Sequence, residues 1–275
     1  MRKADLAAQL QEAEGSLIAL QLLPDPHTPD PAVRLRRIDG VICLAVPAAP
    51  TPYVNRALGF GTIVPATQPL IARLIAHYDG IERETRISIA PGHTPEVAVE
   101  LLAVAGFSLD PEMPTQHIYL RAGGRVPEPV TTPGLRLIKV RTAEDADRFA
   151  DTAEASFGHE RGPGYRASLR QLLERARSAR TMVAVLGLID DTPVATGLLH
   201  FLGPVCGVGT GSVVPAHRGK GLQRALLAER IRIGFGRGMT RYFAFTEDPA
   251  SAHNMEQLGF RNVYDQVSWV RPRHP

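Results

Sequence analysis

Between an apolar run ending at Val214 and a helical pattern opening at Gly221 stands the loop His217-Arg218-Gly219-Lys220-Gly221-Leu222-Gln223. Gly219 and Gly221 let the backbone turn tightly and approach a ligand closely, because glycine has no Cβ to forbid a left-handed conformation. The first turn of the helix that follows has amide N–H groups with no intrahelical acceptor and carries the positive end of the helix dipole. Arg218 and Lys220 add positive charge at the rim. Glycines, unpaired amides and cations together suit a phosphate or pyrophosphate.

Spacing separates the phosphate-binding alternatives. A nucleotide P-loop needs Gly, four residues, then Gly-Lys and a hydroxyl residue, whereas Gly219-Lys220 is followed by Gly221. A dinucleotide fingerprint needs G-x-G-x-x-G after a first parallel strand. Gly207, Gly209 and Gly211 fall at spacing two, and Ser212 stands where the third glycine belongs. Those glycines read better as part of a strand that a ligand approaches.

The loop resembles that of the GNAT acyltransferases, whose pyrophosphate-binding segment runs Q/R-x-x-G-x-G/A. Arg218, Gly219, Lys220, Gly221 and Leu222 match it, and Gln223 stands where a final Gly or Ala is usual. Val213-Val214-Pro215 is similar to the family's central strand and loop entry. Downstream, ASAHNMEQLGF resembles the closing signature, with Asn254 at the position of an Asn near coenzyme A and Leu258-Gly259-Phe260 at its end. The resemblance implies acetyl-CoA or coenzyme A as the acyl-donor cofactor, and no metal. It gives the backbone of Val213 and Val214 to the pantetheine arm and residues 218 to 223 to the pyrophosphate. One departure is chemical: the Tyr that many members use to protonate the departing thiolate falls at Met255, which has no proton to give.

The activity implied is N-acyl transfer, moving an acetyl or other short acyl group to a primary amine of a small molecule or a protein. Such transfer needs an unprotonated amine, a polarised thioester carbonyl and relief of charge on sulfur. A strand N–H, that of Val213, meets the second need. The strand from Val205 to Val214 has no carboxylate, where family members often keep one. Glu247, Asp248 and His253 are the nearest candidate bases by position, with Glu247 and His253 taken as catalytic candidates; solvent relay is the other route. Each has an ordinary reading too. Glu247 and Asp248 fit charges at a helix N-terminus, Asn254 fits a helix cap, and His253, His200 and His159 fit surface or core histidines. The alternative function is a non-catalytic acyl-CoA sensor or interaction module, which Met255 and the missing strand carboxylate favour.

Pattern places these residues on elements. LRLIKV reads as a strand; residues 142–156 and about 165–178 read as helices, the first with Ala146, Phe149, Ala150 and Ala153 at helical spacing. MVAVLGLI and VATGLLHFL form a hairpin through Asp190-Asp191-Thr192-Pro193. Val205 to Val214 extends the sheet. The helix at 221–234 shows Leu222, Ala225, Leu226 and Ile233 on an apolar face broken by Glu229. Strand YFAFT, a short helix at 252–258 and a strand running to Val270 close the order β-α-α-β-β-β-α-β-α-β. That order gives an α/β (α+β) class with a mixed sheet, its central splayed strand followed by the loop and helix.

The first half echoes the second. A shift of 153 residues places Gly106-Phe107 on Gly259-Phe260 and Phe60-Gly61 on Val213-Val214, with a helix after each, and HIYLR answers VSWVR. The equivalent loop, Ile63 to Gln68, has neither glycine nor a basic residue. This resembles tandem GNAT proteins with one degenerate half. The expected division is 1–125 as the degenerate GNAT-like domain, 126–132 as a Gly/Pro-rich linker and 133–275 as the acyl-CoA-binding domain.

Composition limits the rest. Apolar residues at 44% and charged residues at 21% suit a globular protein, and no stretch approaches the roughly 18 apolar residues of a membrane span. The net charge of +3 rests on 28 Arg among 31 basic residues, spread without runs, so no nucleic acid partner is implied. Cys43 and Cys206 give no metal-ligand or disulfide spacing and read as reduced packing residues. Asp5, Glu12 and Glu14 interrupt any leader-like apolar run, so a cytoplasmic protein is expected. Its partners are then acyl-CoA and an amine acceptor, with no membrane, as a monomer or homodimer. Trp269 is expected in the core.

Overall fold

The structure, a computed structural model, describes residues 2–22, 34–46, 51–157 and 165–273. Its elements in chain order are α1 (Lys3–Leu22), β1 (Arg34–Ile38), β2 (Val41–Ala45), β3 (Ala57–Leu58), α2 (Gln68–Asp79), β4 (Thr85–Ile89), α3 (Pro95–Val104), β5 (Ser108–Leu109) and β6 (Gln116–Ala122). There follow β7 (Leu135–Lys139), α4 (Ala143–Phe157), α5 (Tyr165–Ala179), β8 (Met182–Ile189), β9 (Thr192–Leu202), β10 (Val205–Val213), α6 (Leu222–Phe235), β11 (Arg241–Thr246), α7 (Pro249–Glu256) and β12 (Arg261–Arg271). Two compact units emerge. One is Met1–Ile118 with Asn262–Pro275, the other Tyr119–Arg261.

In the first unit the sheet runs β1-β2-β3-β4-β12, mixed because β3 and β4 are parallel while the other neighbours are antiparallel. The last strand was expected to close the second domain, yet β12 pairs with β4 and β5. Its inward positions explain this. Tyr264, Gln266, Ser268 and Val270 alternate to one buried face, and the two polar ones find partners here. Gln266 Nε2 donates to Glu14 Oε2 at 3.1 Å and to Gln116 Oε1 at 3.2 Å, and the Ser268 and Ser88 hydroxyls lie 2.8 Å apart. Glu14 also pairs with the fully buried Arg56 at 2.6 Å. Left without that network, each of these groups would carry the full cost of desolvation. The segment read only as an interrupted leader is helix α1, which buries Ala7, Leu10, Ala13 and Leu17 at helical spacing and brings Glu14 and Gln11 to the network. Trp269 is half-buried against the same core.

The second unit has the sheet β7-β8-β9-β10-β11, antiparallel except for β10 with β11. Helices α4 and α5 cover one face through Phe149, Ala153, Leu169 and Leu173 against Leu186 and Leu198. Helix α6 covers the other through Leu222, Leu226 and Ile231 against Ala195, Leu199 and Val208. The β8–β9 turn is shorter than expected. Asp190 and Asp191 alone form it, both with positive φ as a two-residue hairpin turn demands, and Pro193 already lies in β9.

The echo at 153 residues has a structural counterpart. After α3, Gly106 takes φ +81° and Phe107 N donates to Leu102 O at 3.0 Å; after α7, Gly259 takes φ +82° and Phe260 N donates to Met255 O at 3.1 Å. Each unit also has one two-residue parallel ladder, Ala57–Ile87 with Leu58–Ser88, and Cys206–Tyr242 with Gly207–Phe243. Beyond its ladder the first unit is closed by its own chain. Thr62 Oγ1 donates to Ala90 O, Thr94 N to Gly61 O and Ala66 N to Thr94 Oγ1, while Gly92 packs so closely that a Cβ there would stand 2.2 Å from Thr62 Cα.

Candidate functional site

In the second unit the corresponding place stays open. β10 and β11 pair only at Cys206–Tyr242 and Gly207–Phe243, although the strands continue to Val213 and Thr246. The other edge of β10 remains bonded to β9 as far as Val213–Ala195. One edge of β10, from about Gly209 to Val213, therefore presents strand backbone groups without a strand partner. This is the splay expected of the central strand. The register slips between Gly209 and Ser212, and Thr210 takes φ +48°, so the free stretch includes a bulge.

The loop begins where β10 ends. Val214 N donates to Val194 O at 2.9 Å, one tight turn spans Pro215–His217, and Gly219 follows with φ +76°. Gly221, φ +78°, is the N-cap of α6, and the first intrahelical bond is Ala225 N to Gly221 O at 3.0 Å. The amides of Leu222, Gln223 and Arg224 thus precede the helix's first bonded donor, Ala225 N, and those of Gly219, Lys220 and Gly221 have no backbone acceptor among the described residues. A Cβ on Gly219 would meet nothing within 4 Å, and on Gly221 nothing nearer than 3.8 Å, so the glycines serve backbone conformation and not crowding. Lys220 is exposed and makes no ion pair or hydrogen bond among the described residues. These are the features a pyrophosphate requires: amides without acceptors, a helix N-terminus and a free cation.

The remaining expected residues divide by surroundings. Arg218 is exposed at the loop, yet its Nε donates to Val213 O at 3.1 Å and Nη2 to Ser156 O at 2.9 Å, bracing the end of β10 against α4. Its amide is also used, donating to Pro215 O. Gln223 and Asn254 are brought together: Asn254 Nδ2 donates to Gln223 Oε1, and Gln223 Nε2 to Ser251 Oγ, each at 3.2 Å. Asp248 is the N-cap of α7, accepting from Ala250 N and Ser251 N. Glu247 and His253 are exposed, the first just after β11 and the second on α7. Met255 is buried in the α6-side core with Tyr242 and Phe260.

His200 and both cysteines fall outside any reactive arrangement. His200 on β9 is fully buried, and desolvation, with Arg230 nearby, pushes its pKa down to about 4. It is a neutral core residue. His159 lies outside the described residues. Cys206 and Cys43 are free and buried, each thiol pushed up to about 12 by burial. Among the described residues no group of His, Cys, Asp and Glu is arranged to hold a metal ion.

Sequence reasoning missed two features beside the free edge. Thr196 and Ser212 hydroxyls lie 2.7 Å apart, both buried, joining β9 to β10 across the bulge. Arg230, on α6, is 3% exposed. The periodicity that flagged Glu229 as a break in the apolar face stopped one residue short: Leu222, Leu226 and Arg230 share a stripe, while Glu229 stays partly exposed.

Residues 146–260 match the acetyltransferase (GNAT) family model, and the match stops at Phe260, just before β12 leaves for the first unit. No curated protein matches the sequence. Among solved structures, a GCN5-related N-acetyltransferase from Kribbella flavida is similar over 98% of this chain and 96% of its own, at 17% identity and a TM-score of 0.70. A tandem GNAT protein from the clavulanic acid biosynthesis pathway is similar over 98% and 97%, at 16% identity and a TM-score of 0.64. A GCN5-related N-acetyltransferase from Sphaerobacter thermophilus covers 80% of this chain with 74% of its own, at 15% identity and a TM-score of 0.60. The fold is therefore that of tandem GNAT proteins, and within it residues 146–260 carry the match to the acetyltransferase (GNAT) family model.

Proposed function

We propose that the second unit binds an acyl-CoA, with acetyl-CoA as the first candidate, and transfers its acyl group to a primary amine of a small molecule or protein. The observation that carries this reading is the meeting of two unsatisfied backbone surfaces: the amides of residues 219–224 and the unpaired edge of β10 that leads into them. The first suits a pyrophosphate, and the second suits an extended amide-bearing arm that adds to the strand edge. The donor supplies a thioester carbonyl, so the amine nitrogen forms a C–N bond as the C–S bond breaks and coenzyme A leaves as its thiol. This chain's part is to hold the donor, polarise the carbonyl through a strand N–H such as that of Val213, and pass on the proton lost by the amine.

Glu247 and His253 are the side chains offered as the base; both are exposed, so water can bridge either one to a bound amine. Met255 points its side chain into the core and supplies no acid, which leaves the thiolate to be protonated by solvent. Asn254 acts with Gln223 in holding α7 against the start of α6.

A ligand bound only by the native state raises stability by RT ln(1 + [L]/Kd), about 2.7 kcal/mol at a hundredfold excess over Kd. Acetyl-CoA and coenzyme A should both raise the melting temperature; no shift with either ends the reading. A second reading, a non-catalytic acyl-CoA sensor, is favoured by the burial of Met255 and by the absence of a carboxylate on β10. Thiol release above the uncatalysed rate with any amine of a broad panel removes it.

A further inference from the structure

The bulge in β10 is held from behind by a cation. Arg230 lies in the third turn of α6 with 3% of its surface exposed, and no carboxylate pairs with it among the described residues. Its donors go to backbone carbonyls. Nε reaches Leu226 O at 3.2 Å, while Nη1 reaches both Leu198 O at 3.1 Å and Gly209 O at 3.0 Å. Leu198 belongs to β9 and Gly209 to β10, directly before the register slips. One nitrogen therefore ties both strands to the helix at the start of the bulge.

Two glycines make room for it. A Cβ on Gly197 of β9 would stand 2.8 Å from both Cζ and Nε of Arg230, and one on Gly211, inside the bulge, 3.2 Å from Nη2. The guanidinium thus lies flat across the two strands, Nε against β9 and Nη2 against β10. Packing alone does not ask for this. The neighbouring stripe residues are Leu222 and Leu226, and an apolar side chain here would avoid the several kcal/mol that removing a cation from water costs. Burial pushes the guanidinium pKa down to about 10, which still leaves it charged at neutral pH.

We infer that Arg230 is a positioning residue for acyl transfer: by fixing the Gly209 carbonyl it sets the course of Gly209–Val213, the free edge along which the acyl end of the donor lies. The inference rests on the coenzyme A reading above. Without the fork, the bulge is free to relax toward regular pairing with β9, and a one-residue slip turns every following backbone group of the edge to the other side.

Hydrogen exchange of the full chain with and without acetyl-CoA tests it without knowledge of the acceptor. In the wild type, acetyl-CoA should slow exchange by about tenfold or more in both the loop, residues 219–223, and the edge, residues 209–213. Arg230→Met should keep protection of the loop and lose that of the edge. Gly197→Ala, which displaces the guanidinium without altering β10, should do the same. Arg230→Lys keeps a charge but not the planar fork, and should recover thermal stability without recovering edge protection. Wild-type edge protection in Arg230→Met and Gly197→Ala, with only a lower melting temperature, overturns the inference, as does full recovery by Lys. Protection of the wild-type loop but not its edge also overturns it while sparing the coenzyme A reading; no protection anywhere removes that reading first.

Discussion

The side-chain amide of Asn254 on α7 donates to that of Gln223 in the first turn of α6, 3.2 Å away and 31 residues earlier in the chain. Both residues were expected beside coenzyme A, and they spend part of their hydrogen-bonding capacity on each other. Gln223→Ala and Asn254→Ala are each expected to cost about 1 kcal/mol, with a coupling near 0.5–1 kcal/mol in the double-mutant cycle. Acetyl-CoA affinity should fall alike in the two single variants, as calorimetric titration would show.

Gly219 and Gly221 have open space around the missing Cβ, so alanine at either tests backbone conformation alone. Each substitution should cost about 1–2 kcal/mol for forcing an L-residue into the left-handed region. Urea midpoints measure that cost. The acetyl-CoA-dependent rise in melting temperature should vanish in both, and asparagine at Gly219, which tolerates this region better, should retain more of it than alanine.

Asp248 and Glu247 are neighbours with separable roles. Asp248→Ala removes an N-cap that accepts from Ala250 N and Ser251 N, and should lower stability by about 1 kcal/mol. Glu247→Gln and His253→Gln should leave the melting temperature near wild type. Whichever of these two accepts the amine proton should lose about 10²–10⁴-fold in acylation rate with an active amine. Unchanged rates in both would assign the proton to solvent.

His200 predicts a pH dependence of folding. Its folded pKa, pushed down to about 4, lies below the ordinary histidine value of 6.5, so between these values the unfolded chain binds the extra proton. Stability contributed by the neutral ring is complete above about pH 6.5 and is lost as pH falls toward 4, on the order of 3 kcal/mol in all. His200→Leu should flatten that part of the pH profile in urea titrations from pH 4 to 7.

In the first unit, Glu14→Gln leaves Arg56 buried without its anion. A loss of about 3–5 kcal/mol is expected, read from the urea midpoint. Arg56→Met with Glu14→Leu, removing both charges together, should recover part of it.

The loop was legible because its chemistry is local: two glycines, two cations and a helix start occupy seven consecutive residues. The hairpin and the helices of the second unit were legible by periodicity for the same reason. Arg230 was not. An arginine on an amphipathic helix normally faces water, and what turns this one inward is a pair of glycines on strands 33 and 19 residues away, a match visible only once the sheet exists. Helix α1 was hidden by its own buried polar residues, since Gln11 and Glu14 interrupt the apolar stripe and their partners lie more than 40 residues distant. The destination of β12 was hidden likewise. Its alternation announces a strand, but Gln266 and Ser268 acquire meaning only opposite Glu14, Gln116 and Ser88.

That destination bears on how the chain can be cut. A protease acting within residues 126–132 would sever one peptide bond without freeing a complete lobe, because the strand that finishes the first unit follows the second unit in the chain. A recombinant fragment covering 133–275 would include the whole glycine loop and yet carry Tyr264, Gln266, Ser268 and Val270 as an orphaned strand face, wet where it is built to be dry. A fragment covering 1–125 would lack the strand that covers β4. Trimming this protein to residues 133–275 should therefore yield aggregates, and during synthesis the first unit must wait for β12, which follows the whole of the second unit in the chain, before it can close.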